Sequence, residues 1–109
     1  MSRSSRAQVA MMRFRVLSFL FALCRTRPRG VSLSFRRMVR ELGSTEGRVR
    51  GALRWLEAEE LIRVSARYAE DGGQQPNVYF VSVKGRAALR AAELEGSLEP
   101  FYDHAAVRL

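Results

Sequence analysis

The sequence predicts a single, mainly helical α+β domain, with a helix-turn-helix pair, a two-stranded β-hairpin directly after it, and one flanking helix at each end. Three observations carry this. Apolar residues recur at helical spacing through residues 6–24, 34–61 and 83–96. Gly43, Ser44 and Thr45 interrupt the middle segment with a turn of a few residues, the spacing of a helix-turn-helix. Residues 62–82 change to period-two alternation on either side of a polar, glycine-containing tip, as a hairpin requires. A chain of 109 residues is one domain, 1–109. Its core is modest, so self-association would be a natural aid to stability.

In residues 6–24, Val9, Met12, Val16, Phe19 or Leu20, and Leu23 fall on one helical face, while Ala10, Phe14, Leu17 and Phe21 fall on a second. Two apolar stripes exceed what one small core needs, so this helix is expected to serve half as core and half as subunit interface. The alternative is a single central core helix. The interface set is Met11, Phe14, Val16, Leu17 and Phe21, joined by Leu94 and Phe101 near the C-terminus. Arg3, Arg6, Arg13 and Arg15 ahead of "VLSFLFALC" mimic a secretory leader, but "RTRPR" is a poor cleavage site. The apolar run is about half of a membrane span, so the segment reads as a helix of the mature domain, with no membrane partner.

"RTRPRG" is a basic loop, and "VSL" allows a very short strand. Ser34 can cap a helix through "FRRMVREL", with Phe35, Met38, Val39 and Leu42 inside and Arg36, Arg37 and Arg40 outside; Gly43 ends it. Ser44 or Thr45 can cap the next helix, whose core face is Val49, Ala52, Leu53 and Leu56 and which is expected to end near Leu61. In the hairpin, Ile62, Val64, Ala66 and Tyr68 alternate with Arg63, Ser65 and Arg67; the return strand alternates Tyr79 and Val81 with Val78 and Phe80. Ser82 can cap the last helix, 83–96, and the tail, 97–109, either packs across a partner subunit or frays.

Net charge is +8, and its distribution matters more than its size. Residues 1–54 hold thirteen Arg against Glu41 and Glu46, a net of +11, whereas residues 55–109 net −3. Such a split suggests a nucleic-acid or membrane face built from the N-terminal half, against the plainer reading of an evenly solvated basic surface. Lys84 is the only Lys; Arg offers planar, bidentate contacts to phosphate and guanine. The single Cys24 and single His104 build no disulfide, no metal site and no nucleophile constellation. Cys24 reads as a buried structural thiol in a reducing, cytoplasmic setting. No cofactor pattern is present, and an enzyme is the least favoured reading.

The helix after the turn turns outward Glu46, Gly47, Arg48, Arg50, Gly51 and Arg54. A polar, basic face of this kind suits a DNA major groove. Each glycine inside a helix costs about 1 kcal/mol, so two call for a reason: close DNA approach or close packing against another helix. Trp55 has two readings as well, packing under the hairpin or next helix, or stacking on a base.

The stretch "SLSFRRMVRELGSTEGRVRGALRWLEAEELIRV", followed by "NVYFVSVKGRAAL", resembles the winged helix-turn-helix of MarR-, PadR- and ArsR-type regulators over roughly residues 31–90. The matching positions are Leu42-Gly43, Val49, Leu53, Leu56-Glu57, Leu61-Ile62, and Tyr79, Val81, Ser82, Lys84 and Gly85. The resemblance implies a DNA-binding fold, commonly a homodimer through its first and last helices, with the third helix in the major groove. Carried onto this chain, the DNA-binding set is Ser44, Thr45, Arg48, Arg50 and Arg54, with Arg36, Arg37 and Arg40 along the backbone and Arg63 and Arg67 on the wing stem. One departure is the wing tip, which carries Glu70 and Asp71 where a basic residue commonly stands; acids near phosphate are repelled, leaving Gln74, Gln75 and Asn77 to hydrogen-bond. Three functions fit. The first is a sequence-specific, dimeric transcriptional regulator on double-stranded DNA, nucleoid-associated when bound. The second is an architectural or replication DNA-binding protein without base readout. The third is a winged helix used for protein–protein contact. The sequence does not speak to a small-molecule effector.

Overall fold

The computed structural model describes residues 5–68 and 74–103, except the side chains of Arg67, Tyr68 and Gln74. Glu70 and Asp71 at the expected wing tip, and His104 in the tail, lie outside the described residues. The order is α1 (Arg6–Cys24), β1 (Val31–Ser32), α2 (Phe35–Leu42), α3 (Glu46–Ala58), β2 (Ile62–Tyr68), β3 (Gln74–Val81) and α4 (Val83–Glu95), closed by a 3₁₀ turn at Glu99–Phe101. This is the winged-helix α+β architecture that the sequence predicts.

Each helix starts on a side-chain cap. Ser5 and Gln8 form a reciprocal capping box on α1, and Ser34, Thr45 and Ser82 accept from the backbone N–H of Arg37, Arg48 and Gly85. Gly43 and Gly96 end α2 and α4 in the left-handed region, at φ 60 in both. The end of α3 differs from expectation. The helix stops at Ala58, because Glu60 takes φ 62 and the Leu61 N–H donates back to the Leu56 carbonyl. A non-glycine residue performs the reversal, so the sequence carries no glycine to mark it.

The sheet order is β1-β3-β2, all antiparallel. Ile62 faces Val81 at the base of the hairpin and Tyr68 faces Gln74 toward the tip, with an irregularity between Ser65 and Arg67. Val31 pairs with Tyr79, so the short strand allowed at "VSL" forms the third strand. Ser82 ties the hairpin base to α4: its N–H donates to the Leu61 carbonyl, and its hydroxyl donates toward the Glu60 and Leu61 carbonyls. A Cβ on Gly85 would collide with the Leu61 carbonyl, so only glycine lets α4 leave the sheet this closely.

α1 is the central helix of the core. By length and composition it could cross a membrane, yet Ala10, Val16, Leu17 and Leu20 are fully buried among Met38, Val49, Leu56, Ile62 and Phe101. This corrects part of the interface expectation. Val16, Leu17 and Phe101 are each 0% exposed within one chain, so they have no surface to offer a partner. Both stripes of α1 are drawn inward because the helix is covered from two sides, by α3 and the C-terminal turn on one and by β3 and α4 on the other. Phe14 is half-buried with its ring edge-on to Phe101, at 5.6 Å between centroids. Of the expected set, Met11 and Leu94 stay exposed and Phe21 is half-exposed.

Candidate nucleic-acid interface

The α2–α3 turn is held from within. The Gly43 N–H donates to the Arg40 and Val39 carbonyls, Ser44 N–H to Val39, and the guanidinium of Arg15 on α1 donates to the Leu42 carbonyl at 2.6 Å. Arg15 thus satisfies a carbonyl left open at the α2 terminus, where positive charge is favoured. Ser44 is half-buried in the turn, and the Thr45 oxygen is occupied as the N-cap of α3.

Val49, Ala52 and Leu56 anchor α3 inward. At 100° per residue, Gly47, Gly51 and Arg54 then centre the outward face, with Arg50 on one flank and Arg48 on the other. All five are exposed, as are Arg36, Arg37 and Arg40 on α2. Among the described residues none of Arg48, Arg50 and Arg54 pairs with a carboxylate. Arg37 lies 3.8 Å from Glu41, an exposed contact worth a few tenths of a kcal/mol at most. The Arg50 guanidinium lies over the Phe35 ring at 4.8 Å, a contact the sequence reading missed, which restricts the side chain on its way out from the helix. A Cβ added at Gly47 or Gly51 would meet nothing within 4 Å, so neither glycine is there for helix packing.

Behind this face sits a cluster that sequence reading only half anticipated. Trp55 packs, as expected, but against the C-terminal turn rather than the hairpin or α4. Its Nε1–H donates to Asp103 at 2.9 Å, and its ring lies 6.4 Å from Phe101. Arg13, 8% exposed, lies over the indole at 4.2 Å, donates to the Phe101 carbonyl at 2.8 Å and approaches Asp103 at 3.1 Å. The signal for Arg13 was present, since it shares a face with Ala10, Val16, Leu17 and Leu20. α1, α3 and the C-terminal turn are thereby fastened together beneath the basic surface. Beside it, a groove of about 670 Å³ runs between the first half of α1 and α3, lined by Met11, Met12, Arg15, Gly47 and Gly51 among others.

Arg63 and Arg67 separate along the hairpin. Arg67 lies in β2 toward the tip. Arg63 pairs across the strands with Phe80, one step from the base, and its guanidinium lies over that ring at 5.6 Å. The hairpin pair nearest the tip is about 16 Å away at strand rise. Cys24 is half-buried and donates to the Tyr79 carbonyl at 3.5 Å; burial pushes its thiol up from the ordinary 9.0. Among the described residues no cluster of three or more His, Cys, Asp and Glu could hold a metal.

No family model matches the sequence, and no curated protein matches it. Solved structures do. A variant of S. aureus MepR, a MarR-family winged-helix regulator, is 19% identical with a TM-score of 0.55, covering 86% of this chain and 66% of that one. A second MepR variant, from a multidrug-resistant S. aureus clinical isolate, is 17% identical with a TM-score of 0.57, covering 86% and 65%. A third, bound to an oligodeoxyribonucleotide, is 18% identical with a TM-score of 0.55, covering 86% and 66%. The likeness establishes the winged-helix fold. The chain spans just under two thirds of the length of these structures.

Proposed function

We propose that this chain binds double-stranded DNA through the outward face of α3 and acts as a dimeric, sequence-specific transcriptional regulator. One observation carries the reading. The helix after the turn shows solvent three arginines that have no carboxylate partner among the described residues, set around two glycines that no packing explains. Glycine at these positions lets a base-pair edge or phosphate approach the backbone, and the arginines supply bidentate contacts to guanine or phosphate. Arg36, Arg37 and Arg40 would track the backbone beside the groove. The oligodeoxyribonucleotide on one of the MepR structures supports a DNA ligand. For the dimer, the available surface is the α1/α4 face, where Phe21, Val83 and Ala87 line a groove of about 690 Å³, extended by Leu94. A two-fold dimer would read half-sites one helical turn, about 34 Å, apart.

The test starts with selection of bound DNA from a random pool at two salt concentrations, with the mass in solution measured alongside. On the selected site, Arg50→Ala and Arg54→Ala should each weaken binding by about tenfold or more, the 1–3 kcal/mol of a good bidentate contact. Thermal midpoints should move by no more than a few degrees, because both side chains are exposed and the Arg50–Phe35 contact is worth about 0.5–1 kcal/mol. Parental affinity in both variants would sink the assignment. The breadth of the arginine surface favours one second reading, charge-driven binding without base readout; it predicts a steep salt slope and no enriched sequence.

A further inference from the structure

A second basic surface lies away from α3, at the base of the hairpin. The loop after α1 is pinned there: Arg27 N–H donates to the Cys24 carbonyl at 3.0 Å and Gly30 N–H to the Arg27 carbonyl at 2.9 Å. Gly30 has φ 93, and a Cβ on it would run into Phe80 and Val78, so the loop lies flush on the outer face of the sheet. This presents Arg25 and Arg27 in a groove of about 420 Å³ with Phe21, Phe80 and, from the first turn of α4, Arg86. Arg63 arrives from β2 over the same Phe80 ring. Four arginines from three segments, the loop, β2 and α4, therefore gather at this groove, and among the described residues no carboxylate lines it. Arg25 and Arg86 also border the adjoining α1/α4 groove with Arg90, where Glu93 is the lone acid. Among the described residues none of the five pairs with a carboxylate.

Guanidinium groups repel one another, so gathering several without counter-charge is unfavourable in the free protein and relieved by a polyanion. The α3 groove borders α1 between Ala7 and Arg15, and the hairpin-base groove borders it at Phe21 and Cys24. At helix rise these are about 18 Å apart. The two surfaces therefore meet α1 at opposite ends.

We propose that the hairpin-base surface of Arg25, Arg27, Arg63 and Arg86 binds the phosphodiester backbone of a second DNA segment, so that one protein molecule bridges two duplexes. This rests on the reading that α3 takes the first. Arginine suits phosphate through its planar pair of donors. A duplex backbone fits better than a single strand, because among the described residues Arg63 already covers Phe80 and Phe21 is half-buried, so neither ring stands out for a base to stack on. It also fits better than an acidic protein, since Phe21 and Phe80 are half-buried and give no protruding apolar anchor.

The experiment uses the full chain and two short duplexes carrying donor and acceptor dyes. Binding of one duplex is titrated first, and energy transfer between the two is then read at saturating protein. Parent protein should bring the duplexes together. The charge reversal Arg27→Glu, which lies outside the α1/α4 groove, should bind the first duplex within twofold of parent, lose transfer at least tenfold, and flatten the salt slope of the second step by about 0.9, one phosphate contact. Arg50→Ala with Arg54→Ala should instead weaken the first titration. Undiminished transfer in Arg27→Glu overturns the proposal, since bridging would then come from self-association. Transfer abolished by polyglutamate at matched charge concentration overturns the nucleic-acid assignment in favour of an acidic protein. Parent that binds the first duplex but never captures the second overturns this proposal alone; parent that binds no duplex overturns the α3 reading with it.

Discussion

Phe101→Ala separates a core role for the C-terminal turn from an interface role. The Phe101 ring is 0% exposed, lies edge-on to Phe14 at 5.6 Å and tilts against Trp55 at 6.4 Å, while its carbonyl accepts from Arg13 at 2.8 Å. Truncation to Ala removes the ring and leaves a cavity between α1 and α3 that these aromatics cannot readily close. The expected loss is about 3–5 kcal/mol, against a total of about 5–15 kcal/mol for a small domain. With a urea m-value of about 1.5 kcal/mol per molar, the midpoint should fall by about 2–3 M. Phe101→Leu, which keeps most of the apolar volume, should fall by about 1 M. Circular dichroism across a urea series at two protein concentrations tenfold apart reads both. A ring that belongs to one chain loses the same amount at either concentration. A loss below about 1 kcal/mol, or one that grows on dilution, would refute the placement of Phe101 in the core of a single protomer.

Gly47→Ala and Gly51→Ala should each raise stability by up to about 1 kcal/mol, since a Cβ meets no neighbour at either site, and both should weaken DNA binding; thermal melts and a binding titration on the same samples check this. Asp103→Ala should cost about 1–2 kcal/mol, the range of a charged hydrogen bond reduced because Asp103 is 65% exposed, and Asp103→Asn, which keeps an acceptor for Trp55, about half of that. Burial raises both the Cys24 thiol and the Tyr79 phenol above their ordinary 9.0 and 10.0. The folded chain therefore holds these protons after the unfolded chain has released them, so stability is full below pH 9, declines as pH rises through the folded values, and declines further above pH 10. Urea midpoints across pH 7–11 should show this fall, and Cys24→Ala should remove its first part.

Local rules made much of the fold legible. Ser34 and Ser82 cap where short-range hydrogen bonding says they should, α1 spans the expected 6–24, and Gly43 turns the chain because its φ is positive. The outward set on α3 was legible for the same reason: once Val49, Ala52 and Leu56 point in, 100° per residue leaves the two glycines and the arginines no other place. What escaped depends on which distant segment lands on a face. Two apolar stripes on α1 look like a surplus when counted along the chain. They are matched once the C-terminal turn folds back 88 residues to reach Arg13. Arg13 itself looked like one more leader-type cation, yet it is held between an indole and a carbonyl that sequence places 42 and 88 residues away. Arg63 shows the same limit at shorter range. Alternation put it on the wing stem, but only the register with Phe80, and the glycine that lets the 25–30 loop lie on that ring, show that it covers the same ring that lines the groove of Arg25, Arg27 and Arg86. Periodicity tells which way a side chain points, and the long-range closures decide what it finds there.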